Sequence, residues 1–456
     1  MSATAGAAQR MPHGISNIYI YDTFNAMSWN AALGVPMLLF LQHLGASATV
    51  IACVACLSPL LNILQIPSAR YVERVGYRRF VLSGWTPRSF MIVGMAIITF
   101  LPDSVDRTTR IVAILMLSFA YNTLRGISLC GLLPWFTHIV PEELRGEFLS
   151  RDQVAIALSS IFSLTLYGWI LSGQLAWYSF GIVFTIASAA AFISLNFLRR
   201  VPDVPVEKIV SNPEPLPWGE MLFFPPFFKY IRYVVIINLA QGASTVFWVR
   251  FFRTSLHLSA SFTLLTSAFT TVILAGTLFL AAPLIDRAGN KPALTVSGLL
   301  LALNFTGWAL VATRIIPFSL GILFVQCLTG GMGNALWGMA NVRCVMGIVP
   351  EMGRPHFLAL YSVASNLALG LAPLAWGPLM DALADWHHPW GGWNFNVFTL
   401  FYLVLLLTIA LGIAVLQRVT EPATMSWNSF MHELLVKTPS RALSRAVGRM
   451  RGPFIG

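Results

Sequence analysis

Two ionisable side chains stand in stretches that otherwise offer only apolar or weakly polar neighbours. Asp22 lies in "IYIYDTFNAMSW" and Arg125 in "LSFAYNTLRGISLCGLLPW". An isolated charge at mid-membrane costs about 2.5–3.5 kcal/mol on the insertion scale, and a partner of opposite sign offsets much of that. A carboxylate and a guanidinium that meet there can do chemistry: Asp22 takes up and releases a proton, and Arg125 switches between that carboxylate and an anionic or polar solute. A permanent salt bridge, or an Asp22 at the lipid–water boundary, are the plainer alternatives. A third charge, Arg88, follows Pro87 near the inner end of its stretch, where it can snorkel or pair with Glu73.

The other reactive residue types form no constellation. Cys53 and Cys56 make a C-x-x-C, but no second ligand pair completes a metal site, so they read as small residues on one helix face. Cys130, Cys327 and Cys344 also sit in or beside apolar stretches. The eight histidines are scattered, with neither metal spacing nor a nucleophile–base pair. There is no Walker-type phosphate loop to support direct ATP drive. Gly330, Gly331 and Gly333 read as close helix packing. No metal, no cofactor and no enzyme activity are expected.

The elements that must position Asp22 and Arg125 follow from composition. The chain has 456 residues, is 56% hydrophobic and only 10% charged. A soluble globular protein carries roughly 25% charged residues, so most of this surface must face lipid. Apolar runs of the length a spanning helix needs, about 20 residues, recur twelve times between 17 and 417. They arrange as a cytoplasmic leader (1–16), a six-helix half (17–198), a Pro-rich charged linker (199–228), a second six-helix half (229–417) and a basic cytoplasmic tail (418–456). The leader lacks the apolar core of a cleaved signal peptide. With both termini inside, about 22 of the 29 Lys and Arg fall at the inner face and about 5 at the outer. This is the positive-inside asymmetry, and it accounts for the net charge of +11 without a nucleic-acid partner. Arg441, Arg445 and Arg449 in the tail recur every fourth residue, as on an amphipathic helix lying on anionic lipid or on a solvated tail.

Two phrases occur twice. "IVPEELRGEFL" from Ile139 returns as "IVPEMGRPHFL" from Ile348, linking the fourth span to the fifth and the tenth to the eleventh. "YVERVGYRR" (Tyr71–Arg79) returns as "LIDRAGNKP" (Leu284–Pro292), linking the second span to the third and the eighth to the ninth. Glu73, Arg74 and Gly76 thereby match Asp286, Arg287 and Gly289. Equivalent positions in two halves make the chain an internal repeat, as many transporters are.

Twelve spans in two halves, with acidic-Arg-x-Gly-x-basic after the second span of each, resemble the major facilitator superfamily over nearly the whole chain outside leader and tail. The family's loop signature begins with Gly, where this chain has Ala69 and Ala282, and its first acidic residue is Asp, where this chain has Glu73. The resemblance implies an all-α integral membrane fold with two pseudo-symmetric six-helix halves. It also implies gating loops at the inner face, here Glu73, Arg74, Gly76 and Arg78, and Asp286, Arg287, Gly289 and Lys291. Arg145 and Arg354, in the other repeated phrase, are expected to join that charge network.

The resemblance further implies that the first, fourth, seventh and tenth spans line a central cavity. Each of these carries a polar stripe with one tryptophan: Asp22, Asn25 and Trp29; Tyr121, Arg125, Ser128 and Trp135; Asn238, Gln241, Thr245 and Trp248; Gln326, Asn334, Trp337 and Asn341. A polar face on a lipid-embedded helix should meet protein or water. Helix–helix hydrogen bonding is the alternative use of the amides. Tryptophans with amides suit a sugar-like solute, and one Arg suits an organic anion. The expectation is a monomeric secondary transporter of the plasma membrane, moving a small molecule by alternating access as a proton symporter. A non-transporting sensor or membrane assembly factor is one alternative. A drug-type efflux antiporter is another, disfavoured because the fifth span, "AIALSSIFSLTLYGWILSG", lacks the Gly-Pro ending of that group.

Overall fold

The repeated phrase ends two helices at the same residue. Helices Arg107–Ile139 and Leu320–Ile348 both stop at its isoleucine. The next valine is extended in each copy, with φ −94° and ψ 123° at Val140, and φ −77° and ψ 128° at Val349. A residue before proline is driven out of the helical region, and Pro141 and Pro350 do so here.

The computed structural model describes residues 14–102, 104–141, 144–173, 177–205, 218–350, 354–390 and 393–419. Side chains at 177, 218, 220, 282–284, 286–288, 355 and 390 fall outside that description. In chain order come α1 (Ile15–Ala32), α2 (Val35–His43), α3 (Ala48–Asn62), α4 (Gln65–Val75), α5 (Tyr77–Thr99), α6 (Arg107–Ile139), α7 (Arg145–Ile170) and α8 (Trp177–Leu198). Then follow α9 (Trp218–Leu222), α10 (Pro225–Thr254), α11 (Ala260–Ala288), α12 (Asn290–Ala312), α13 (Leu320–Ile348), α14 (Arg354–Ala382), the strands β1 (His387–Trp390) and β2 (Trp393–Asn396), and α15 (Val397–Gln417). Among the described residues eleven helical stretches are long and apolar enough to cross a membrane, with α1 and α2 counted together as Ile15–His43; α3 and α4, bent by 50°, make a twelfth if taken as one broken span.

The polarity of these helices is inverted relative to a water-soluble bundle. On α7 the outward positions are Val154, Leu158, Phe162 and Trp169, the last 73% exposed, while Asp152, Ser159, Ser160, Ser163 and Tyr167 are buried. A solvent of lipid tails accepts the apolar face, and polar side chains then turn inward to find partners. Asn30 Nδ2 donates to Ser163 Oγ at 3.0 Å and Tyr167 Oη donates to the Met27 carbonyl at 2.9 Å, tying α1 to α7.

The chain divides into two compact units. One takes in Met1–Glu214 with Phe252–Ala268 and Pro373–Pro378, the other Pro215–Phe251, Phe269–Ala372 and Leu379–Gly456. In the first, α5 packs on α6 and α8, and α1 packs on α7 and α8. In the second, α12 packs on α13 and α15.

Three features depart from the sequence reading. The fifth span begins at Arg145, well before the apolar stretch that marks it in the sequence, which places Asp152 inside a helix. The segment before α15 forms a hairpin, β1 against β2, with Trp390 opposite Trp393; Asn396 then caps α15 with a reciprocal capping box. The first span is broken at Gly34, where an added Cβ would lie 2.2 Å from the Asn30 carbonyl oxygen. The tail arginines Arg441, Arg445 and Arg449, and residues 206–217 of the linker, lie outside the described residues.

Candidate functional site

The first unit gathers its charged and amide side chains from five helices. Close backbone approach sets the distances. At Gly126 on α6 an added Cβ would fall 2.1 Å from the Leu61 carbonyl oxygen of α3. That contact carries the neighbouring Arg125 to α3, where its Nη1 donates to Ser58 Oγ at 3.1 Å and Asn62 Oδ1 at 3.0 Å. At Gly84 on α5 an added Cβ would lie 1.6 Å from Ser128 Oγ of α6. One turn on from Gly84, Arg88 then lies over the α6 ring of Tyr121, its Cζ 5.3 Å from the centroid and 4.3 Å from that of Trp85.

Arg88 is 1% exposed, so it neither snorkels nor reaches Glu73. Its Nη2 donates to Asn25 Oδ1 of α1 at 2.7 Å, while its Nε has no hydrogen-bond partner among the described residues. Two aromatic faces and an amide oxygen stabilise the guanidinium without a counter-charge. The Arg88 charge also acts on Arg125.

The expected Asp22–Arg125 ion pair is not the arrangement found. Arg125 turns to α3 because the Gly126 contact takes it there, and Asp22 hydrogen-bonds Asp152 of α7 instead. Both carboxyl groups are 8% exposed. Carboxylate oxygens only accept hydrogen bonds, so a contact of this kind needs a proton on one partner. Asp152 Oδ1 has no hydrogen-bond partner among the described residues. Tyr21, fully buried, feels both the Asp22 and the Arg88 charges.

Other expected cavity residues divide by environment. Trp29 is 39% exposed and Tyr121 is fully buried, its hydroxyl without a hydrogen-bond partner among the described residues. Ser128 packs against Gly84, and Trp135 Nε1 donates to the Pro202 carbonyl at 2.8 Å. In the second unit, Asn238 is buried, Gln241 Nε2 is buried without a hydrogen-bond partner among the described residues, Thr245 Oγ1 donates to its own helix at Gly242, and Trp248 is half-buried. Gln326 Oε1 accepts from Asn304 Nδ2 at 2.9 Å, which makes it a link between α12 and α13. Asn334 is exposed and donates to the Gly330 carbonyl, whereas Trp337 packs edge-on against Tyr233. Asn341 Oδ1 lies 2.6 Å from Tyr230 Oη, and its Nδ2 donates to Tyr361 Oη.

The loop residues share one device. Gly76 and Gly289 both have φ of 89°, a conformation that a side chain disfavours. After each, a basic residue reaches the end of another helix, α8 or α15: Arg78 Nη2 donates to the Arg199 carbonyl, and Lys291 Nζ donates to the Gln417 and Val419 carbonyls at 3.0 and 2.8 Å. Free carbonyls at a helix C-terminus favour a cation. Arg145 Nε likewise donates to the Thr137 and Val140 carbonyls that end α6. Glu73 and Arg74 are exposed, and Arg354 Nε is buried without a hydrogen-bond partner among the described residues. The Asp286 and Arg287 side chains lie outside the described residues.

Sequence reasoning missed Asp152, Ser58, Asn62 and the role of Arg88. Asp152 sits one residue outside the fifth span as read from hydropathy, where a charge needs no explanation. Its signal lay in the next turns, "DQVAIALSSIFS", where polar residues continue along one helix face.

A predominantly helical chain with eleven or twelve candidate spans among the described residues, and charges buried within them, has the build of a polytopic membrane protein. The sequence profile of the Major Facilitator Superfamily matches residues 22–373, and the chain belongs to that superfamily. It is an integral membrane transporter, not an enzyme. A crystal structure of a mutant of the nucleoside transporter NupG is similar with a TM-score of 0.71 at 12% identity, covering 90% of this chain and 100% of that one. A bacterial homologue of the iron transporter ferroportin, inward-facing, gives 0.68 at 15%, covering 90% and 99%. A D-xylose-proton symporter gives 0.64 at 16%, covering 87% and 97%. At these identities the likeness shows the fold alone. No curated protein matches in sequence.

Proposed function

We propose that the chain is a proton-coupled secondary transporter of a small polar organic solute, sugar-like or an organic anion, working by alternating access in the plasma membrane. The observation that carries the coupling is the Asp22–Asp152 pair, two buried carboxyl groups in hydrogen-bond contact on adjacent membrane helices. Two carboxylates at this distance repel strongly when both are ionised, so the pair retains one proton and can exchange a second. The nearby Arg88 and Arg125 supply positive charge that responds to that exchange. A structural neighbour described as a proton symporter is in keeping with this reading.

Uptake into sealed vesicles tests it, with a panel of labelled sugars and organic acids presented with and without an inward proton gradient. Asp22→Asn and Asp152→Asn are each expected to abolish gradient-driven accumulation while leaving counterflow exchange. Accumulation against a gradient by both variants overturns the assignment.

A further inference from the structure

Two guanidinium groups lie inside the first unit without a carboxylate partner among the described residues. Arg125 hydrogen-bonds the neutral Ser58 and Asn62, and Arg88 the neutral Asn25, with two ring faces beside it. Among the described residues neither makes an ion pair, and the Asp22–Asp152 carboxyls are turned to each other. Buried like charges without a counter-ion are costly within a membrane protein, and sequences keep them where a ligand completes the balance. Arg125 feels the like charge of Arg88, and the side-chain acceptors that both reach are neutral.

We propose that Arg125 is the anchor for the carboxylate of an organic monoanion. Arg88, buried behind Tyr121, is a positioning residue that supplies field without contact. Arg125 is half-buried, so it can be reached, whereas Arg88 at 1% exposure cannot. A guanidinium presents a planar donor fork that fits the two oxygens of a carboxylate. Trp29 is 39% exposed on α1, one turn beyond the Asn25 that holds Arg88, and it offers a flat apolar wall to the organic part of the molecule. This chemistry narrows the solute class to organic acids and sets aside sugars. The cargo role rests on the transporter reading above; the binding site itself does not.

The test uses the purified full chain in detergent. Thermal stability is measured with acetate, lactate and benzoate, with their amides as neutral matches, and with chloride at equal ionic strength. At least one acid is expected to raise the melting temperature, with its amide binding at least 10-fold more weakly. Arg125→Gln is expected to weaken that acid about 100-fold and Arg88→Gln about 10-fold, with Arg125→Lys between wild type and Arg125→Gln. Unliganded melting of each variant reports whether it folds, and the lysine variant serves if glutamine does not. Equal binding of amide and acid, no response to any of the acids, or indifference to Arg125 substitution overturns the proposal. An acid that binds but never enters vesicles sinks the transport reading and leaves the site. A neutral solute accumulated equally by Arg125→Gln sinks the site and leaves transport.

Discussion

Arg88 is the residue whose environment constrains the charge balance most. It is fully buried, and its one side-chain hydrogen-bond acceptor among the described residues is Asn25 Oδ1, at 2.7 Å. Substituting Asn25→Leu removes that acceptor and leaves charged donors unsatisfied in the core. The expected cost is roughly 1–3 kcal/mol, read as a lower melting temperature or faster inactivation in detergent. A melt indistinguishable from wild type would mean that the two rings suffice to hold the guanidinium. Asp22 and Arg125 were visible in the sequence because a charge in an apolar run has a cost that must be met. Who meets it was not visible. Cation–π contacts and hydrogen bonds to Ser58, Asn62 and Asn25 leave no charge pattern in the sequence, and a protonated carboxyl pair places like charges where pairing rules look for opposite ones.

Helix contacts decide those partners. Gly126 lets α6 approach the α3 backbone closely enough for Arg125 to reach Ser58 and Asn62. Gly126→Ala would set a methyl group 2.1 Å from the Leu61 carbonyl oxygen, so the helices must separate. Overpacking of this kind typically costs about 1–3 kcal/mol. The variant is expected to melt lower and to bind organic acids more weakly, although no ligand-facing atom has changed; unchanged binding would uncouple Arg125 from this contact. The helices themselves were legible from runs of apolar residues, and the ends of α6 and α13 from the repeated Ile-Val-Pro. The β1–β2 hairpin was not legible, because four residues a strand, among tryptophans and histidines, give no alternation to read. The true start of α7 was missed because its first turns, with Arg145, Glu147, Arg151 and Asp152, carry charges like any surface segment.

At the scale of the molecule, the repeat and the distribution of basic residues carry the topology. The two loops each use a cation to hold the end of a helix, Arg78 at Arg199 after α8 and Lys291 at Gln417 and Val419 at the end of α15. The positive-inside asymmetry predicts that both lie on the cytoplasmic side. In a background with Cys53, Cys56, Cys130, Cys327 and Cys344 replaced, Arg74→Cys and Arg343→Cys, both exposed positions, are expected to react with an impermeant maleimide only in inside-out vesicles. Reaction of the two from opposite faces would contradict the duplicated architecture. Superfamily membership follows from the matched profile; proton coupling and the solute class depend on the buried charges of the first unit.

The most direct measurement is proton flux in proteoliposomes loaded with a pH-sensitive dye and given a bound organic acid, under conditions that hold passive acid leakage constant. Wild-type protein is predicted to acidify the lumen beyond that leak. Asp22→Asn and Asp152→Asn are each predicted to remove the excess while still exchanging labelled acid for unlabelled. Solute-driven proton entry that survives in both variants, or that is absent from wild type while the acid is carried, would contradict the claim that this carboxyl pair carries the coupling proton.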